Sequence, residues 1–194
     1  MPPSNDPIHP ATETLSSTVV VAGTSITMQQ LQQIHSELTG KEGSISKYYD
    51  DPIHLSFDDV YQLHHRIKQT CEQYRIVSQS CSFTVYYIKN TKDEFNSFDR
   101  FEFQIAGGAE PVESVLLKYE FLVILPSLGK PQRYSISVRV VSRLAIERRM
   151  RQEASSFSLP RFIKVMARHT ASVEITYVDY AVARTFLTAI DEWF

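Results

Sequence analysis

The stretch ERRMRQE, residues 147–153, lies in the most basic part of the chain. Arg143, Arg148, Arg149 and Arg151 crowd into nine residues, and Arg161, Lys164 and Arg168 follow. Residues 139–169 hold eight basic side chains against Glu147 and Glu153, and seven of the eight are arginine. A guanidinium is a planar fork of donors that matches phosphate or carboxylate oxygens two at a time, which a lysine ammonium does not. Arg143, Arg148, Arg149, Arg151, Arg161, Lys164 and Arg168 are therefore the candidate residues for an anionic partner, either a phosphate-bearing ligand or a nucleic acid. The competing account is neutralisation at an ordinary surface. Glu147 and Glu153 stand within helical reach of the arginines. Glu120 can face Arg139 across a hairpin, and residues 1–60 carry eight acids against Lys41 and Lys47. The aromatic residues follow the apolar periodicity and are not interleaved with the arginines, so stacked bases are not indicated.

Other residue types with chemical potential are less promising. His64 and His65 are adjacent, so on a helix they point about 100° apart and do not share an ion. Chelation from a helix needs i and i+4, and positions 68 and 69 are Lys and Gln. His64 reads as a core histidine and His65 as a surface one. No HxH, HxxxH or HExxH occurs, so no metal is expected. GxSxG, GxGxxG and GxxxxGK[ST] are also missing, and neither Cys71 nor Cys81 stands in a Cys–His protease context. The two cysteines read as reduced, mostly buried thiols. Asp50-Asp51 and Asp58-Asp59 could suggest a magnesium site. The plainer reading puts Asp58 and Asp59 in the first turn of a helix, where negative charge meets the positive end of the dipole. The chain leans towards a non-catalytic protein with no cofactor.

These residues must be carried on a scaffold, and the composition is that of an ordinary globular chain. Of 194 residues 43% are hydrophobic and 22% charged, with a net charge of −2. A chain of this length buries roughly 70% of its unfolded surface, enough for one core without staples. No basic start with an apolar centre opens the sequence, and the longest apolar run, Phe121–Leu125, is too short to span a bilayer. A soluble, cytoplasmic protein is expected.

Residues 1–16, with Pro2, Pro3, Pro7 and Pro10, read as a mobile tail, and residues 17–194 as a single α+β domain. TVVVAG suggests a short strand. Thr27 and Gln30 form a capping-box pattern ahead of a stripe of Met28, Leu31, Ile34 and Leu38. Ser56 and Asp59 repeat that pattern ahead of Val60, Leu63, His64, Ile67, Cys71 and Tyr74 at helical spacing. The period then falls to two. Phe83, Val85 and Tyr87 share one strand face, DEF is a short return strand, and SFDRF is one capped helical turn.

Tyr119, Phe121, Val123 and Leu125 face the same way as Tyr134, Ile136, Val138 and Val140, and PSLGKPQ supplies the hairpin connection. One register pairs Phe121 with Val138 and Glu120 with Arg139, and shifts of two residues preserve the faces equally well. A helical segment over 144–153 and a short helix capped by Ser158 follow. Val173, Ile175 and Tyr177 then mark a strand, and Asp179 caps a last helix bearing Val182, Phe186, Ile190 and Phe194.

The expected fold is α+β, with N-terminal helices packed on a mainly antiparallel sheet and an amphipathic C-terminal helix closing it. Such a chain reads first as a non-catalytic, soluble binding or sensor-type module, part of a longer protein or complex, with a protein partner or further segment covering Trp193 and Phe194. The alternative is a nucleic-acid or nucleotide binder using residues 139–169. A hydrolase or nuclease of unfamiliar design is a third.

Overall fold

A computed structural model describes residues 18–21, 24–39, 42–51, 56–106, 111–126, 129–145, 147–148 and 169–194. The chain divides into two compact units, Met1–Gly40 and Lys41–Phe194. In the first, β1 (Thr18–Val21) and β2 (Thr24–Thr27) form an antiparallel hairpin that leads into α1 (Met28–Thr39). The expected capping box is present. The Thr27 N–H donates to Gln30 Oε1 at 3.0 Å and the Gln30 N–H to Thr27 Oγ1 at 3.2 Å. Met28, Leu31 and Ile34 of the apolar stripe are exposed.

The second unit is an α+β fold. Its elements are β3 (Gly43–Tyr49), α2 (Phe57–Cys71), β4 (Arg75–Tyr87), β5 (Lys92–Phe95), α3 (Phe98–Ala106), β6 (Val112–Ile124), β7 (Pro131–Val141), β8 (Ala171–Tyr177) and α4 (Tyr180–Asp191). The six strands form one antiparallel sheet in the order β3-β8-β7-β6-β4-β5.

Period-two alternation puts Phe83, Val85, Val115, Leu117, Tyr119, Phe121, Val123, Tyr134, Ile136, Val138, Val140, Val173 and Ile175 on one buried face. Three helices cover that face. His64 of α2 lies on Tyr119, Phe101 of α3 stacks on Phe83 at 5.2 Å, and Phe186 of α4 meets Phe121 at 5.2 Å. On the opposite face Lys118, Glu120 and Glu174 are exposed. Leu63, Ile67, Phe121, Val123, Ile136 and Val138 are all buried, as their spacing predicts.

Three local expectations need correction. The β6–β7 register pairs Phe121 with Tyr134 and Glu120 with Ser135, four positions from the candidate pairing with Val138 and Arg139. The ladder runs on to Ile124–Pro131, leaving only residues 125–130 in the connection, where Gly129 takes φ +62. A glycine tolerates that left-handed conformation and so permits the tighter turn. The shift is even, so the faces are kept. β4 also begins at Arg75, well before the alternation at Cys81, because pairing with β6 holds even the polar Ser78, Gln79 and Ser80 extended. SFDRF, finally, opens a nine-residue helix instead of a single turn.

The caps of α2 and α4 behave as expected. Ser56 and Asp59 close a reciprocal capping box on α2. Asp179 accepts from the Ala181 and Val182 N–H groups at 2.8 and 3.2 Å at the start of α4. The far end of α4 is tied to the edge strand. Asp191 accepts from Lys47 Nζ at 2.7 Å and from the Tyr49 hydroxyl, and Phe194 stacks on the Tyr49 ring at 3.9 Å. Burial raises the Asp191 carboxyl, but its bonds to Lys47 and Tyr49 outweigh this and hold it below the usual carboxylate range. Trp193 and Phe194 are both half-buried against the core of their own unit, which removes the exposed-aromatic ground for placing a partner there. Among the described residues, no helix is long and apolar enough to cross a membrane.

Ile67 is 1% exposed at the centre of the α2 stripe. Ile67→Ala should lower the unfolding free energy by about 2–5 kcal/mol in a urea titration, the range for emptying a well-packed site. An unchanged midpoint would remove α2 from the core.

Candidate functional site

On the covered face α2 packs against α4, whereas α3 rests on β4 and β5. The space between α2 and α3 is a cavity of about 540 Å³. Its floor includes Cys81 of β4 with Tyr119 and Phe121 of β6. One wall carries His64, Lys68 and Cys71 from α2, and the other Phe98, Asp99 and Glu102 from α3. The helical period explains the α2 wall, since positions 64, 67, 68 and 71 return to one side of the cylinder. Ser97, whose Oγ accepts from the Arg100 N–H at 3.4 Å, starts α3 and so places Asp99 and Glu102 one turn apart.

His64 joins the cavity to the core. It is 4% exposed, its Nδ1 lies 2.9 Å from the Tyr119 hydroxyl, and its ring stacks on Phe98 at 4.2 Å and 5°. Burial, assisted by Lys68 and His65 against an opposing pull from Asp99, lowers its pKa to about 4. At neutral pH the imidazole is therefore uncharged. Burial also holds the Tyr119 phenol far above its ordinary value, with Cys81 and Cys71 adding to the effect. The Cys71 thiol is pushed up to about 11, chiefly by burial, and the Cys81 thiol rises for the same main reason. A thiol in that state is a poor nucleophile. The cavity thus presents buried neutral groups beside aromatic surface, with Lys68, Asp99 and Glu102 exposed on its walls.

The histidines are as the spacing predicts, His64 buried and His65 exposed. Among the described residues no group of three or more His, Cys, Asp or Glu is placed to hold a metal ion. Asp59 is used in the α2 cap, and Asp50 pairs with His169. Of the candidate anion-binding residues, Arg143 and Arg148 are exposed just after β7, while Arg149, Arg151, Arg161, Lys164 and Arg168 lie outside the described residues. Glu120 bonds Arg133 at 3.0 Å and not Arg139. Arg139 instead donates to Ser114 Oγ at 3.3 Å and lies over the Tyr86 ring.

Sequence reasoning did not single out the cavity. Its lining comes from four elements separated along the chain, and Tyr119 carries only a core signal in its own strand. No family model, curated protein or solved structure matches the chain.

The His64 shift has a definite sign. Unfolded, its imidazole takes up a proton near the ordinary 6.5; folded, only near 4. As the pH falls through that window the unfolded chain binds the proton first, so stability present above 6.5 is progressively lost towards 4. The full loss is about 3 kcal/mol. Urea titrations from neutral to acid pH should show His64→Gln losing less stability than the parent by that order. Identical pH profiles would overturn the assignment.

Proposed function

We propose that residues 41–194 form a non-catalytic, soluble binding module of the sensor type, with the cavity between α2 and α3 as its ligand site. The observation that carries this reading is the cavity itself. Its volume of about 540 Å³ falls within the range of roughly 300–1,000 Å³ usual for small-molecule sites. It combines aromatic surface with a few convergent polar groups, and a buried histidine–tyrosine hydrogen bond forms part of its base. Sensing is supported by α2, which lines the cavity on one side and packs against α4 on the other. A ligand that shifts α2 is then felt at a helix remote from the site, provided it binds the two positions of α2 with different affinity. Two unpaired cysteines suit a reducing, cytoplasmic setting.

A protein-observed NMR screen with small aromatic fragments tests the site. Binding should move the amide signals of His65, Lys68, Cys81 and Asp99, and Cys81→Trp, which fills the cavity, should abolish it while unfolding stays cooperative. Hits that map elsewhere, or persist in the filled variant, would overturn the reading.

A second reading keeps one observation of its own, the exposed Arg143 and Arg148 at the head of the basic segment. A phosphate-bearing ligand or nucleic acid held there would be lost with salt, each phosphate contact contributing about one unit of log–log slope on duplex DNA. Replacing Arg148, Arg149 and Arg151 with Ala should weaken binding across all oligonucleotide sequences and flatten that slope. Absence of binding by the parent protein at low salt would return the arginines to ordinary surface.

A further inference from the structure

We infer that the cavity between α2 and α3 takes a small zwitterion of the amino-acid type, its carboxylate on Lys68, its ammonium on Asp99 and Glu102, and its side chain on the aromatic floor. This rests on the cavity being the ligand site.

The two walls carry opposite charge. Lys68 projects from α2, and Asp99 and Glu102 share one side of α3 at i and i+3. None of the three makes an ion pair among the described residues, whereas Lys47, Arg66 and Arg133 all find carboxylates. The Lys68 ammonium and the Asp99 carboxylate are both close enough to act on the His64 imidazole, in opposite directions. Both line the same cavity, Lys68 from α2 and Asp99 from α3, and no ion pair joins them.

A ligand with a single charge fits this arrangement poorly. An anion that reached Lys68 would face the two α3 carboxylates, and a cation that reached those carboxylates would face Lys68. A molecule with both signs close together satisfies the walls at once, and its charge-assisted contacts are the strong kind. The buried groups between these charges add none at neutral pH, because His64 and Tyr119 are both neutral there. The rings of Phe98 and Tyr119 favour an apolar or aromatic side chain.

L-Phenylalanine, phenethylamine and 3-phenylpropionate separate the contributions, since the last two each lack one charge. Titrated into the full chain by NMR, L-phenylalanine should bind about tenfold more tightly than either, the change expected from one charge-assisted contact. Lys68→Met should weaken L-phenylalanine and 3-phenylpropionate but not phenethylamine. Asp99→Asn with Glu102→Gln should weaken L-phenylalanine and phenethylamine but not 3-phenylpropionate. All three positions are exposed charges, so the folded state should survive the changes. Equal affinities for the three probes, or charge variants without effect on L-phenylalanine, would overturn the inference. If neutral fragments occupy the cavity and L-phenylalanine does not, the inference fails while the binding module stands. If nothing enters the cavity, both fail.

Discussion

Burial of one face of the antiparallel sheet is the constraint on which the rest of the second unit depends. In β7 the residues alternate without a break from Gln132 to Val140, buried and half-buried in turn. An antiparallel ladder can leave one face to water only if the apolar residues of neighbouring strands agree on the other. They do agree, since Ile136 sits between Tyr119 of β6 and Ile175 of β8, and Val138 between Leu117 and Val173. Each such large side chain contributes roughly 1.5–3 kcal/mol when removed from water, before the entropy of ordering is counted. All three helices must then compete for that single face.

The cavity follows from this competition. α2 and α4 pack together over the middle of the sheet, and α3 is drawn to the β4–β5 end, where Phe83, Phe95, Phe98 and Phe101 form an aromatic cluster. The floor between them is left partly bare over Gln79 and Cys81 of β4. A gap above polar strand residues costs less than one above a row of valines. His64, a polar side chain buried in the wall, is accommodated by a hydrogen bond to Tyr119 and by giving up its charge. An imidazolium in that position would carry a desolvation cost that one phenol cannot offset.

At the other edge of the sheet the problem is reversed. β3 is an edge strand, and edge strands invite further pairing. Lys47 points inward from it towards Asp191, while Tyr49 lies between that carboxylate and the Phe194 ring. The contacts anchor the end of α4 to the last strand of the sheet. An inward charge of this kind also discourages edge-to-edge association, a recognised device in natural sheets.

What the sequence determined by itself were the features governed by local physics. The stripe of α2 with its Ser56–Asp59 box, the Asp179 cap, the alternating faces of β6 and β7, and the opposite fates of His64 and His65 all follow from periods of 3.6 or two and from the orphan donors of helix ends. Only the tertiary structure decided what depends on placement. A period of two is blind to even shifts, so pairing of Phe121 with Tyr134 waited on the tightness of a turn at Gly129, and with it the partnership of Glu120 with Arg133. The early start of β4 waited on a neighbouring strand to impose it. Lys68, Asp99, Cys81 and Tyr119 belong to four elements that no spacing rule connects. They share one cavity because two helices divide one sheet face between them.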